Sequence, residues 1–119
     1  MHKRRMFVFL LAYAAVMQAP NAKPVQGSAN VPSLFSYDDY PEEAVRNRWQ
    51  GDVVVGVTVS AEGRPTACDI VRSSGHKVLD DATCRIVMRR ARFKPATDAS
   101  GRPVVDHVVI PPIRWRISG

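Results

Sequence analysis

The strongest pattern in the sequence is an alternation of β-branched and mixed residues over positions 52–60. A period of two residues is typical of a strand with one buried face. The alternation breaks at the polar turn 61–64, where Gly63 can take a positive φ, and β-favouring residues resume over 66–72. The pattern predicts an antiparallel hairpin, and later segments must cover its apolar face because a lone hairpin is marginal in water. The regularly spaced residues are Val53, Val55, Val57 and Val59.

Two further segments have the pattern of helices. The first begins at Pro41, which suits the first helical position, and it ends before Gly51. Val45 and Trp49 would share the face that packs on the sheet. The second helix is predicted over Val78–Arg90, with one broad apolar stripe covering the hairpin. The stripe consists of Leu79, Ala82, Ile86 and Val87.

The closing segment, Val104 to Ser118, is rich in β-favouring residues but contains Pro111 and Pro112. Proline cannot donate a hydrogen bond to a neighbouring strand, so these residues are expected at a sheet edge or a bulge. Beyond the prolines, apolar residues alternate with arginines, which is typical of a half-buried edge strand guarded by charge. The alternating residues are Ile113, Arg114, Trp115, Arg116 and Ile117.

The length and charge of the chain limit the possible functions. At 119 residues, the chain can form one domain with one small core. Its formal net charge is +6, but Lys3, Arg4 and Arg5 near the N terminus contribute three of these charges. The charge that remains for the folded part is modest, and export would separate the protein from nucleic acid. Nucleic-acid binding is therefore not predicted.

A secretory leader is predicted at the N terminus. Basic residues 2–5 precede an apolar run, Met6–Met17, which is too short to cross a bilayer as a helix of about 20 residues. Cleavage after Ala19 would be hindered by the Pro20 that follows. Residues 1–19 are therefore interpreted as a signal peptide or, if uncleaved, a short N-terminal membrane anchor.

The remaining chain divides into a linker and a domain. Residues 20–39 contain spaced prolines and no apolar periodicity, which predicts an extended or disordered linker. Its end contains residues that could dock on the domain, although the sequence does not place them: Val31, Leu34, Phe35 and Tyr37. Residues 40–119 are expected to form the domain. With the leader, this organisation predicts a location in the periplasm, with inner-membrane attachment if the leader is retained.

The two cysteines are expected in an oxidising compartment. Cys68 lies on the second strand, on the same side as Ile70, and Cys84 lies on the helix predicted to cover that side. The geometry permits a disulfide, and closing a loop of about 16 residues would contribute on the order of 3 kcal/mol. Two buried free thiols are the alternative. No metal site is predicted, since the cysteines and His76 match no standard ligand spacing.

The sequence contains no pattern that predicts a catalytic site. Asp80 and Asp81 could be a carboxylate pair, but adjacent helical residues point about 100° apart, and their place at a helix start explains their charge. Neither a Gly-x-Ser-x-Gly nor a His-Glu-x-x-His motif occurs. His107 has no evident carboxylate partner except its neighbour Asp106. We therefore expect a protein that is not an enzyme and binds no cofactor.

Several short motifs follow one another in a distinctive order. They are Tyr40-Pro41, Ala44, Gly51, Gly63, Ser73-Ser74-Gly75, Leu79-Asp80, Phe93-Lys94-Pro95-Ala96 and Pro112-Ile113-Arg114-Trp115. Together they resemble the C-terminal domain of TonB-type energy transducers, and the likeness extends from Tyr40 to Ile117. The chain is especially similar to a short variant with a cysteine on the second strand and a Thr-Cys pair in the second helix.

The resemblance implies both a fold and a partner. The fold would be α+β, a small three-stranded antiparallel sheet with two helices packed on one face. The domain would capture the TonB box, an extended segment of TonB-dependent outer-membrane receptors, by β-strand addition beside its last strand. The arginines of that strand would offer charge-assisted contacts to an acidic segment. The implied binding residues are Val108, Val109, Ile110, Ile113, Arg114, Trp115, Arg116 and Ile117.

The N-terminal part departs from the family. Full-length transducers carry a membrane helix that engages the ExbB and ExbD motor proteins, followed by a long Pro-rich spacer. This chain has a short apolar run and a short linker, so coupling to ExbB and ExbD is not expected unless the leader stays in the membrane. An envelope adaptor, or a homodimer formed through the same edge strand, remains the alternative, with no energy coupling.

Overall fold

The computed structural model describes residues 21–118. The predicted leader, residues 1–19, lies outside the described residues and stays a prediction. Among the residues described, no helix is long and apolar enough to span a membrane.

The fold is an antiparallel sheet with helices on one face, as predicted. Its elements are α1 (Glu42–Arg46), β1 (Gly51–Val59), β2 (Pro65–Arg72), α2 (Lys77–Arg90), β3 (Ala96–Thr97), β4 (Pro103–Val104), β5 (Asp106–Val109) and β6 (Ile113–Trp115). β1 is the central strand, with β2 on one side and β5 followed by β6 on the other. The predicted third strand is therefore present but divided in two. β3 and β4 form a separate two-stranded sheet.

The core lies between the sheet and α2. All four alternating valines of β1 are fully buried, and α2 packs across β1 and β2. The apolar stripe predicted for α2 is buried too, which confirms that the helix covers the hairpin. Cys68 and Cys84 form a disulfide that links β2 to α2, with their Cα atoms 5.7 Å apart. α2 is thereby attached to the sheet both covalently and by packing.

The division between β5 and β6 is a bulge at the two prolines. Ile110 donates its N–H to the Val55 carbonyl (2.9 Å), whereas Ile113 pairs with Val53. Three steps along the edge thus match two steps along β1, so one extra residue is accommodated. In a regular strand, residues three apart would point to opposite faces. The extra residue shifts the register by one, so Ile110 and Ile113 both point into the core. The prediction of prolines at an edge or bulge is confirmed.

Residues 21–39, called the strap from here on, are folded onto the domain. Backbone bridges join Lys23 to Thr97 and Gln26 to Lys94, and two short 3-10 helices follow at Ser28–Leu34 and Tyr37–Asp39. Val25 and Val31 are buried in the core. The prediction of an extended or disordered linker is therefore wrong for this part of the chain. Two isolated valines give the sequence no apolar periodicity from which packing could be predicted. The strap is held on the domain by backbone pairing with a segment distant in the sequence.

Candidate functional site

The outer side of β6 is an open sheet edge. In an antiparallel ladder, alternate residues turn their N–H and C=O to the same neighbour. The Ile110 N–H bonds the Val55 carbonyl, so the backbone of Val55 faces this edge. Val53, two residues earlier in β1, faces the same way and pairs with Ile113. Arg114, one residue on, then directs its N–H and C=O away from β1. No strand pairs with this outer side among residues 21–118, so main-chain donors and acceptors are available there.

A groove of about 300 Å³ lies beside this edge. β6, together with Arg116 and Ser118, forms one wall, and the strap together with Tyr40 forms the other. The sequence predicted the β6 side. For the strap side it named Phe35 and Tyr37 as residues that could dock on the domain, but it did not place them. The lining residues are Pro32, Phe35, Ser36, Tyr37 and Tyr40 on one wall, and Ile113, Arg114, Trp115, Arg116 and Ser118 on the other.

Trp115 borders the groove, but its side chain is a core residue. Trp115 as a whole is 4% exposed, and its indole ring packs edge-on against Phe35 and Tyr40, with ring centroids 5.8 and 5.2 Å apart. Its Nε1–H donates to the Thr83 hydroxyl oxygen at 2.9 Å. The Tyr40 hydroxyl in turn donates to the Trp49 carbonyl. These contacts fix β6 in position and attach the strap to it.

The two arginines of the edge differ in their contacts. Arg116 Nη2 lies 2.7 Å from Asp52 Oδ1, and Arg116 Nη1 donates to the Trp115 carbonyl at 2.9 Å. Arg114 is exposed, and among the described residues no carboxylate lies within 4.0 Å of it. Arg114 is therefore the cation at this edge that remains available to an external acidic group.

The other predicted binding residues are unequally accessible. Val108 is half-buried and Ile110 and Ile113 are buried, so their side chains belong to the core, whereas Val109 is 53% exposed. The Ile117 N–H donates to the side-chain oxygen of Gln50 at 2.8 Å.

The β5 part of the edge is partly closed. His107 N–H, which strand alternation directs outward, donates to Asp106 Oδ1 of the neighbouring residue at 2.8 Å. The open part of the edge is therefore centred on β6 and not on the whole of residues 108–117.

A bidentate ion pair holds the strap against α2. Arg90 Nη2 lies 2.7 Å from Asp39 Oδ1, and Arg90 Nη1 donates to Asp39 Oδ2 (2.8 Å) and to the Leu34 carbonyl (2.9 Å). Hydrogen bonds from Arg90 and from the Ser36 backbone lower the pKa of Asp39 from 3.8 to about 2. Asp39 is thus ionised at neutral pH. The ion pair positions the groove wall that contains Phe35 and Tyr37.

Asp80 is used to close a turn. It accepts hydrogen bonds from the Ser73 hydroxyl (2.5 Å), the Ser74 backbone (2.9 Å) and the Ser74 hydroxyl (2.8 Å). Burial by itself would raise the pKa of Asp80, but these hydrogen bonds outweigh it and lower the pKa. A Cβ at Gly51 would lie 2.7 Å from the Ser74 carbonyl oxygen, so this turn packs closely only against glycine. The position of Asp80 in the first turn of α2 agrees with a helix-start role, to which the structure adds this turn.

Within residues 21–118, no group of three or more His, Cys, Asp or Glu side chains is arranged to hold a metal ion.

Comparisons with known proteins agree with this geometry. The protein TonB2 of Pseudomonas aeruginosa is 35% identical over 80 residues, which are 67% of this chain and 28% of that protein. The chain thus spans about a quarter of the length of this relative. The solution structure of the Helicobacter pylori TonB C-terminal domain superimposes with a TM-score of 0.52 at 21% identity, covering 76% of this chain and 79% of that one. It shares the fold.

The family match covers most of the chain. The sequence profile of the Gram-negative bacterial TonB protein C-terminal family matches residues 36–117. The match begins inside the strap and ends beyond β6, and so includes part of each wall of the groove. The chain therefore belongs to the TonB C-terminal family, whose members work in the envelope of Gram-negative bacteria.

Proposed function

We propose that this domain binds the TonB-box segment of outer-membrane receptors in the periplasm by adding it as a strand beside β6. The observation that carries the proposal is the outward backbone of Arg114, which lies next to a groove and has no neighbouring strand among the described residues. Strand addition uses main-chain hydrogen bonds for affinity and places few demands on side chains. A captured segment would support TonB-dependent transport.

The two faces of the added strand would meet different surroundings. Side chains of a strand alternate between faces. On the helix side they would enter the groove beside Phe35 and Tyr37, which favours apolar groups. On the opposite side they would pass Arg114, which favours an acidic group. The site therefore suits an extended segment with both apolar and acidic side chains.

The test is a titration with a TonB-box peptide and two N-methylated forms of it, followed by amide chemical shifts of the isotope-labelled protein. N-methylation on the edge that pairs with β6 removes a ladder hydrogen bond, whereas methylation one residue along points to solvent. We expect one methylated peptide to bind about as well as the parent and the other about tenfold more weakly, since a hydrogen bond contributes about 1 kcal/mol and the methyl group adds a clash. Shifts should centre on residues 113–117 and the strap.

Equal binding by both methylated peptides would contradict strand addition. Shifts confined to residues away from β6 would place the docking line elsewhere. The same edge can also pair with a second copy of the chain. A stable dimer in size-exclusion chromatography, unchanged by peptide, would favour the homodimer in place of receptor capture.

A further inference from the structure

Four basic residues gather at the end of the domain where the described chain begins, and we call them the basic end: Lys23, Arg64, Arg92 and Lys94. The strap pairs with residues 94–97, and the Phe93 N–H donates to the Gly63 carbonyl at 2.8 Å. These contacts bring the start of the strap, the hairpin turn and the segment after α2 together. All four basic side chains are exposed.

The charge of the basic end is not neutralised within the domain. In the part of the chain that the structure describes, no carboxylate lies within 4.0 Å of any of the four. Two acidic residues belong to neighbouring turns. Asp98 is paired with Arg102, with Nε and Oδ2 3.4 Å apart, and Glu62 is exposed in the hairpin turn. Asp106, which pairs with Val59 at the same end of β1, is also exposed and has no ion pair among the described residues, so four cations face two free carboxylates, Glu62 and Asp106.

Lys23 and Lys94 border one shallow cavity of about 430 Å³. The residues Thr97 and Ser100 also line it. The Ser100 hydroxyl donates to Asp98 Oδ1 at 2.8 Å, so the donors offered to a ligand are mainly the ammonium groups of Lys23 and Lys94. A phosphate group is an acceptor with negative charge. The chemistry of this cavity therefore fits the phosphate of a lipid headgroup.

The basic end also lies next to the leader in the sequence. Asn21 lines the cavity, and the apolar run 6–17 ends only a few residues before it. Three residues, 18–20, span at most about 11 Å when extended. A leader held in a bilayer would therefore bring the basic end to the membrane surface.

From this arrangement we propose that the basic end docks on an anionic phospholipid surface and orients the domain upon it. β6 pairs with the first residues of β1, whereas the hairpin turn follows the last. Docking through the hairpin end thus leaves the groove at the other end of β1, facing away from the membrane. The inference is independent of peptide capture, because it uses no residue of the groove.

Vesicle flotation of the full chain tests the proposal. The probes are phosphatidylcholine vesicles with and without roughly one-third phosphatidylglycerol, at about 0.1 M salt, where surface charges act over about 10 Å. The readout is the ratio of binding to anionic vesicles over binding to neutral vesicles, because the leader would contribute to the binding of both kinds of vesicle. Each basic residue near an anionic surface strengthens binding about fivefold. Reversing two of them, Lys23→Glu with Lys94→Glu, should therefore reduce the preference by at least about thirtyfold.

The matched control is Arg46→Glu with Arg72→Glu, two exposed residues far from the basic end with the same total charge change. We expect this variant to keep the preference, and circular dichroism should show both variants folded. Equal losses in both variants, or no preference in the wild type, would overturn the proposal. Inorganic phosphate that shifts the amide signals around Lys23 and Lys94, in a protein that shows no preference for anionic vesicles, would also overturn it, since the cavity would then bind a free anion and not a membrane.

Discussion

Trp115 of β6 donates its indole N–H to the hydroxyl of Thr83 in α2, with Nε1 and Oγ1 2.9 Å apart in the core. The Thr83 hydroxyl in turn donates a hydrogen bond to the Leu79 carbonyl at 2.8 Å. This short chain of buried hydrogen bonds joins the edge strand to the helix on the face of the sheet. The candidate docking edge is thereby positioned from the inside.

Replacing Thr83 with valine should destabilise the protein. The substitution keeps the branched shape but leaves the Trp115 N–H buried without an acceptor, which costs about 1–3 kcal/mol. The free energy of unfolding from urea titration measures this loss. Thr83→Ser, which keeps the hydroxyl, should lose less, and an equal loss in the two variants would mean that packing and not the hydrogen bond matters.

Gly63 should be far less tolerant of alanine than Gly101. Both have a positive φ, +85° and +84°, so each alanine meets a backbone penalty of about 1–2 kcal/mol. A Cβ at Gly63 would also lie 2.1 Å from the Phe93 carbonyl oxygen, whereas nothing lies within 4 Å of a Cβ at Gly101. Thermal unfolding of both variants checks the difference. Similar melting temperatures would show that the chain relaxes easily around Phe93.

Reduction of the Cys68–Cys84 disulfide should lower the free energy of unfolding by about 3 kcal/mol, because the reduced chain regains the entropy of an open loop. The measurement is urea unfolding with and without a reductant. A Cys68→Ser, Cys84→Ser variant provides the control, since its stability should be low and insensitive to the reductant. If the wild type is also insensitive, the disulfide contributes little.

Acid should weaken the attachment of the strap through Asp39. Its pKa is about 2 in the folded protein against an ordinary value of 3.8, so its contribution is present above about pH 4 and is lost as the pH falls toward 2. The wild type should therefore lose stability over this range more steeply than Asp39→Asn. The pKa values of Asp80 and Asp98 are also lowered, but the wild type and Asp39→Asn both contain these two residues, so their effect cancels in the comparison. Parallel pH profiles would assign no linkage to Asp39.

Neutralising Arg114 should modestly weaken the binding of an acidic peptide beside β6. An exposed ion pair contributes about 0.2–1 kcal/mol, so Arg114→Gln should reduce affinity about two- to fivefold, and salt should reduce the difference. Isothermal titration gives the dissociation constants. Arg72→Gln, an exposed arginine on β2, is the control and should bind as the wild type does.

Much of the central fold was predictable because it follows from local periodicity. The valines of β1 and the apolar stripe of α2 each have the period of their element, and each period fixes one buried face. The two prolines likewise indicated an irregular edge, since proline cannot donate to a ladder. The family motifs added the expectation of a three-stranded antiparallel sheet with two helices on one face.

The groove was only half predictable. The β6 side has an alternating pattern, but the strap lacks one, because Val25 and Val31 are fixed by contacts with residues distant in the sequence. The division of roles between Arg114 and Arg116 was also hidden, since it depends on where Asp52 lies across the sheet.

Short-range spacing and residue type were enough to predict the hairpin, the covering helix, the proline-interrupted edge and the family. Two outcomes became visible only in the folded protein: the N-terminal strap forms a groove wall, and one arginine of the edge is engaged while the other is available. Those outcomes depend on pairing between residues far apart in the chain, which a local pattern does not encode.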